Sequence, residues 1–322
     1  MAVKLLDIKD LYVNFYTYRG VVKAINGVNL HISQGEFFGL VGETGCGKSV
    51  TASAILNLVR NPGRVESGEI MFMGQDLMKI PAKEMREQIR GRKITMIMQH
   101  PVAALNPVMK VRDQIAEVLS HSMGMGKKKA AIEAVRRLSE VNIPEPEKVA
   151  SYYPHQLSGG MAQRVMIALM LSSEPPLLIA DEPTTALDVS VQAQVLMLLK
   201  DLVVKKNSSV LLITHDMSVI SETCDRVGVM YAGDIVEVGK VEEVIFNPQH
   251  PYTRGLMQAI PSEETKELKG ISGTVPDLVS PPPGCRFHPR CPHAMDICRI
   301  KKPHLTQVSD THSVSCYLYD PQ

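Results

Sequence analysis

Gly42-Glu43-Thr44-Gly45-Cys46-Gly47-Lys48-Ser49 is the stretch that most narrows what this chain can become. It satisfies G-x-x-x-x-G-K-[ST] and stands between a short apolar run, Phe37 to Val41, and a helical pattern expected to begin near Val50. Glycines at these positions let backbone N–H groups turn inward around phosphate oxygens, and the N-terminus of the following helix favours negative charge. Lys48 would reach the terminal phosphates and Ser49 would ligate Mg²⁺, so the pattern predicts ATP with Mg²⁺ as ligand. A strand, a phosphate loop and a helix in succession point to an α/β fold of the P-loop NTPase kind. A glycine turn that merely caps a helix is the competing explanation, and the rest of the chain decides against it.

Three further apolar runs, Ile94 to Met98, Leu177 to Ala180 and Val210 to Ile213, are each short enough for a buried strand. Polar chemistry follows every one: Gln99, then Asp181 and Glu182, then His215 and Asp216. Ligands of open α/β sheets bind beyond the carboxyl ends of the strands, so these segments are expected to converge with the phosphate loop. Asp181 is then suited to hold Mg²⁺ through its water shell, Glu182 to orient the attacking water, and His215 to contact the γ-phosphate. Taken singly, a strand-end Asp-Glu pair fits a surface turn, and a lone histidine fits a half-buried structural role.

Leu5 to Ile32 and Val65 to Phe72 predict a small antiparallel sheet, with turns at Arg19-Gly20 and Asn26-Gly27. Ile132, Val135, Leu138 and Val141 recur every three residues among charged neighbours, which predicts a helix burying one stripe inside a helical insertion.

With 35 basic and 34 acidic residues in 322, the net charge is +1, and no basic footprint points to nucleic acid. Met1 to Asp10 carries Lys4, Asp7, Lys9 and Asp10, so it lacks the apolar core of a signal peptide. The most apolar stretch, Val165 to Ala180, is interrupted by Ser172 to Pro176 and falls short of the roughly 20 residues that span a bilayer. Membrane association is therefore expected through a partner.

Leu157-Ser158-Gly159-Gly160-Met161 precedes the apolar run Val165 to Leu171 and offers a second helix N-terminus with unshielded amides. One nucleotide hardly needs two cradles from one chain. With the phosphate loop, Gln99, Ser158-Gly159-Gly160, Asp181-Glu182, Ala186-Leu187-Asp188 and His215 in this order, the chain resembles the ATP-binding cassette (ABC) family over residues 5 to 245. The resemblance implies a nucleotide-binding domain over residues 1–245: a RecA-like parallel core, an antiparallel β subdomain, and a helical subdomain inserted near residues 100–172. It implies ATP contacts from Gly42, Glu43, Thr44, Gly45, Cys46, Gly47, Lys48, Ser49 and Val50, with Gln99 joining Ser49 and Asp181 at Mg²⁺. Glu182, His215 and Gln99 would form the catalytic set. Two such cassettes pack head to tail, so Ser158, Gly159 and Gly160 would touch ATP held by a partner. Phe15 falls nearest the adenine-stacking aromatic, with Tyr16 and Tyr18 as competitors, and Met161 stands where many members carry Gln.

Asn247-Pro248-Gln249-His250-Pro251-Tyr252-Thr253, with Gln99-His100-Pro101 and Leu105-Asn106-Pro107, is similar to the ATPase subunits of oligopeptide and dipeptide importers, whose relatives carry oligosaccharides or nickel. That group implies a heterodimer with a second ABC ATPase, two membrane-spanning permeases and an extracellular solute-binding protein, working at the cytoplasmic face of the membrane. A soluble ABC ATPase of DNA repair or translation is the alternative, disfavoured by the neutral charge, the single cassette and the lack of a long coiled-coil insertion.

Residues 246–322 form a Pro- and His-rich extension in which Cys285, Cys291, Cys298 and Cys316 are separated by five, six and seventeen residues. Spacing alone leaves the metal open. The resemblance favours a [4Fe-4S] cluster on the four thiolates, with Zn²⁺ as the alternative and His288, His293 and His304 as lesser candidate ligands.

Overall fold

The structure is a computed structural model that describes residues 3–99, 101–184, 188–259 and 270–320. Its strands are β1 (Lys4–Thr17), β2 (Gly20–Ser33), β3 (Phe37–Val41), β4 (Gly63–Phe72), β5 (Gln75–Asp76), β6 (Ile94–Ile97), β7 (Leu177–Asp181), β8 (Ser209–Thr214), β9 (Arg226–Tyr231), β10 (Asp234–Lys240), β11 (Thr306–Gln307) and β12 (Ser313–Val314). The chain divides into two units, one made of residues 1–79 and 212–322, the other of residues 80–211. The second boundary falls inside β8, so the chain passes from one unit to the other in mid-strand.

In the first unit, a four-stranded sheet has the order β2-β1-β4-β5, with β1 antiparallel to both β2 and β4. Alternation drives it: Leu6, Ile8, Leu11, Val13, Ile25, Val28 and Ile32 are buried while Lys9, Asp10 and Tyr12 face solvent. The turn expected at Arg19-Gly20 joins β1 to β2. The turn expected at Asn26-Gly27 does not exist, because β2 runs straight through it. Leu11 faces Val28 and Tyr12 faces Asn26, so Gly27 is the extra residue of a bulge. Its φ is +71°, and a Cβ there would lie 2.7 Å from the Tyr12 hydroxyl.

The other sheet of this unit has β11-β12-β10-β9-β3-β8 in that order, with β3 parallel to β9 and β9 antiparallel to β10. All five residues of β3 and all six of β8 are buried, as expected of strands covered on both faces. The described residues of the extension beyond residue 246 include regular elements that its composition does not suggest. The extension contributes a helix, Pro251–Gln258, and two short strands, of which β12 pairs with β10.

In the second unit, β7 lies between β6 and β8, and β6 runs parallel to β7. Helices Val111–Met123, Lys127–Glu140, Gly159–Leu171 and Val189–Lys205 supply the rest of its core. The expected helix is present at Lys127–Glu140, but its buried stripe is Ala130, Ala134 and Leu138, continued by Val141. Ile132 is 75% exposed. The small alanines recur at four-residue spacing and hold the inward face, which a count of large apolar residues passes over. Met98 likewise lies beyond the end of β6 and is exposed.

Candidate nucleotide site

Gly42 follows β3 directly, and His215 follows the neighbouring strand β8. The loop needs glycine at two points for want of space. A Cβ on Gly42 would lie 2.0 Å from the Met230 carbonyl oxygen, and one on Gly47, whose φ is +113°, would meet Ile25, Ala24 and Met230 within 2.9 Å. Gly47 is the N-cap of helix Lys48–Ile55, which begins two residues earlier than the sequence pattern suggests. Lys48 is 5% exposed, and its ammonium donates to the carbonyls of Gly42 (2.7 Å) and Glu43 (3.1 Å), with the Cys46 sulfur at 3.8 Å. Burial pushes the Cys46 thiol up from its ordinary pKa, against the opposing pull of Lys48.

Glu43 is held from the far end of the chain. Its amide donates to the Tyr252 hydroxyl at 3.0 Å, and its carboxylate receives both terminal nitrogens of Arg290, at 3.0 and 3.2 Å. Glu43 belongs to the loop motif, but neither partner is legible from it, since they lie 209 and 247 residues away.

In the second unit, the register of β6 and β7 pairs Ile94 with Leu177 and Ile97 with Ala180, so Gln99 and Asp181-Glu182 leave the same edge. The Gln99 side-chain amide donates to the Glu182 carboxylate at 3.0 Å. Glu182 has φ +47°, a left-handed conformation that a β-carbon disfavours and that concentrates at functional sites. Ser158 caps helix Gly159–Leu171 by accepting the Met161 amide at 3.3 Å, leaving Gly159 and Gly160 in the first turn. Asp188 caps helix Val189–Lys205 through the Val191 amide at 3.0 Å. His100, Ala186 and Leu187 lie outside the described residues.

Of the three aromatics near the end of β1, Phe15 is half-buried and packs so closely on Gly63 that a Cβ there would lie 2.6 Å from its ring. Tyr16 is tied to Glu66 by a 2.8 Å hydrogen bond under the Arg64 guanidinium, and Tyr18 is 91% exposed beside Arg19.

The four tail thiols are free, and burial raises the pKa of three of them, pushing Cys285 up to about 12. Backbone amides point at these sulfurs: Phe287 at Cys285, His293 at Cys291 and Leu318 at Cys316, with Met295 3.5 Å from the Cys298 sulfur. Cys298 interacts electrostatically with each of the other three. Among the described residues no three metal-ligating side chains are close enough to enclose a single ion. His288 turns its Nδ1 to the Cys285 carbonyl at 2.9 Å.

A buried network that no local sequence pattern records secures the tail. Glu237, fully buried on β10, accepts from the amides of Gln249 (2.7 Å) and His250 (2.9 Å) and faces His312 Nε2 at 2.7 Å. A glutamate inside Ile235-Val236-Glu237-Val238, an otherwise apolar strand, was the available signal, because a carboxylate buried there requires donors.

Residues 25–185 match the ABC transporter family, and residues 236–298 match the C-terminal region of oligopeptide/dipeptide transporters. The oligopeptide transport ATP-binding protein OppD of Bacillus subtilis strain 168 is 50% identical over 99% of this chain and 90% of its own length. The dipeptide transport ATP-binding protein DppD of the same organism is 48% identical over 98% and 95%. Among solved structures, the ATP-binding cassette MJ0796, a dimer bound to ADP and Pi after hydrolysis, superimposes with a TM-score of 0.65 at 27% identity, covering 73% of this chain and 98% of that one. No helix among the described residues is long and apolar enough to cross a membrane. With its phosphate loop between β3 and helix Lys48–Ile55 and its tail matched as well, the chain belongs to the ATPases of the ABC transporter family, in the oligopeptide/dipeptide transporter group.

Proposed function

We propose that this chain hydrolyses ATP to power uptake of di- or oligopeptides, or of a related solute such as an oligosaccharide or nickel, through membrane permeases. The names of its relatives support the cargo class, and the match over residues 236–298 supports the transporter group. The observation that carries the ATP reading is Lys48, a buried cation whose partners are main-chain carbonyls and a thiol. Such a cation can exchange these acceptors for phosphate oxygens with little loss.

In this reading Gly42 to Val50 cradle the phosphates, Phe15 stacks on adenine, and Ser49, Gln99 and Asp181 serve Mg²⁺. Glu182 aims the attacking water, and His215 contacts the γ-phosphate. Ser158, Gly159 and Gly160 complete the site of a second cassette, a related ATPase, in a head-to-tail dimer. The dimeric form of MJ0796 supports that arrangement. Residues 1–245 act as the cassette, with the helical part near 100–172, and 246–322 as its extension. Two permeases and an extracellular solute-binding protein complete the assembly, at the cytoplasmic face of the membrane. The test is Glu182→Gln, which should keep ATP binding and lower turnover by about a thousandfold. Normal turnover in this variant would remove Glu182 as the base.

By the family resemblance, Cys285, Cys291, Cys298 and Cys316 would hold a [4Fe-4S] cluster, with Zn²⁺ as the alternative. Amide donors aimed at the sulfurs partly offset the burial that raises these thiols, and metal ligation would supply the rest of the thiolate stabilisation. A bound cluster would cross-link four points of an irregular segment. Metal content and the visible spectrum of anaerobically purified protein separate iron-sulfur from zinc.

A further inference from the structure

Arg290 uses all five of its N–H donors. Nε donates to the Ser272 carbonyl at 2.9 Å; Nη1 donates to the Glu43 carboxylate and, at 3.4 Å, to the Tyr231 hydroxyl; Nη2 donates to the other Glu43 oxygen and to the Ile271 carbonyl at 3.3 Å. Its side chain is 7% exposed, and its guanidinium lies 5.7 Å from the Tyr231 ring centre. Tyr231, Tyr252 and Phe287 pack against one another with ring centres 4.7 to 5.5 Å apart. The guanidinium therefore has one available position, and that position grips Glu43.

Glu43 is in turn fixed on three sides. Its carboxylate meets Arg290, its amide meets Tyr252, and its carbonyl accepts from Lys48. The carbonyl competes with a phosphate for the Lys48 ammonium, so where the tail holds Glu43 sets how readily Lys48 turns to nucleotide.

We propose that Arg290 and Tyr252 are positioning residues for ATP, through which the C-terminal extension sets the phosphate loop. The proposal rests on the ATP reading above, and its test separates the two. Equilibrium ATP binding is measured on the full-length chain as wild type and as Lys48→Ala, Glu43→Gln, Arg290→Met, Tyr252→Phe and the Glu43→Gln/Arg290→Met pair, with thermal unfolding of each without nucleotide. Arg290→Met and Glu43→Gln should each raise the ATP Kd by on the order of tenfold, since each loses the bidentate pair. Tyr252→Phe should raise it less, and the double variant should bind no worse than the weaker single one.

If Lys48→Ala binds ATP as wild type does, the ATP reading itself fails. If Lys48→Ala loses binding while Arg290→Met and Glu43→Gln keep wild-type affinity, the positioning role fails. Additive losses in the double variant also overturn it, since independent effects would mean that each change merely loosens the fold. Should Arg290→Met not fold, Glu43→Gln and Tyr252→Phe decide alone, because both keep the side-chain shape nearly unchanged.

Discussion

The phosphate loop and the C-terminal tail both bury cations against main-chain carbonyls, and only the tail adds carboxylates. Lys48 donates to main-chain carbonyls, whereas Arg290 and Arg286 face the carboxylates of Glu43 and Asp234. A cation held by neutral acceptors can change partners at small cost. One paired with a carboxylate exchanges less readily, since separation leaves the buried guanidinium without its counter-charge. The loop is thus built for exchange and the tail for holding, and the two meet at Glu43.

The sharpest way to break this contrast is to remove the central acceptor of the tail. Glu237→Ala strips the amides of Gln249 and His250 and the imidazole of His312 of a fully buried partner. We expect a loss of about 3–5 kcal/mol in urea unfolding, together with proteolysis beyond residue 246. A variant as stable and as protease-resistant as wild type would show that packing alone orders the tail.

Acid should loosen the same region. Burial lowers the pKa of His250 to about 4, with Glu237 opposing the shift and Arg254 adding to it. The neutral ring is required because Nδ1 accepts the Tyr252 amide at 3.0 Å. Above the unfolded value of about 6.5 the ring is neutral in both states and its contribution is complete. As pH falls toward 4 only the unfolded chain takes the proton, so up to about 3 kcal/mol is lost. Urea midpoints across that window should fall for wild type and more shallowly for His250→Asn, which can still cap helix Pro251–Gln258. Equal slopes would acquit His250.

On the loop side, Lys48→Ala should weaken ATP binding about a hundredfold, the scale of a lost charge-assisted contact to phosphate, with little change in stability. If stability falls as far as in Glu237→Ala, Lys48 is a structural cation like those of the tail, and the contrast disappears.

What the sequence revealed follows the same division. The loop, strands β3, β6, β7 and β8, and the edge that brings Gln99 to Glu182 were legible because each is written in neighbouring residues. Asn26-Gly27 misled because a glycine with positive φ serves a bulge as well as a turn, and β1 supplies a partner on both sides of it. The grip on Glu43 joins residues 247 apart, and His312 reaches Glu237 across 75, so no local pattern records them. Proline and histidine content suggested an irregular appendage, while the polar contacts that order it depend on the folded sheet.

The smallest expected effect concerns the remaining contrast, between the thiol of the loop and those of the tail. Cys46 is 1% exposed, and a Cβ on Gly42 would lie 2.9 Å from its sulfur, so it fills space beneath the loop. Lys48 lies 3.8 Å from that sulfur, beyond a strong hydrogen bond, and finds nearer acceptors in two carbonyls. Cys46→Ala should therefore cost about 1 kcal/mol of stability, as a small cavity does, and leave the ATP Kd within about twofold. A tenfold change in affinity would mean that the sulfur helps to place the ammonium. Side chains would then set the loop as they set the tail, and Glu43 would no longer be the one point where the two regimes join.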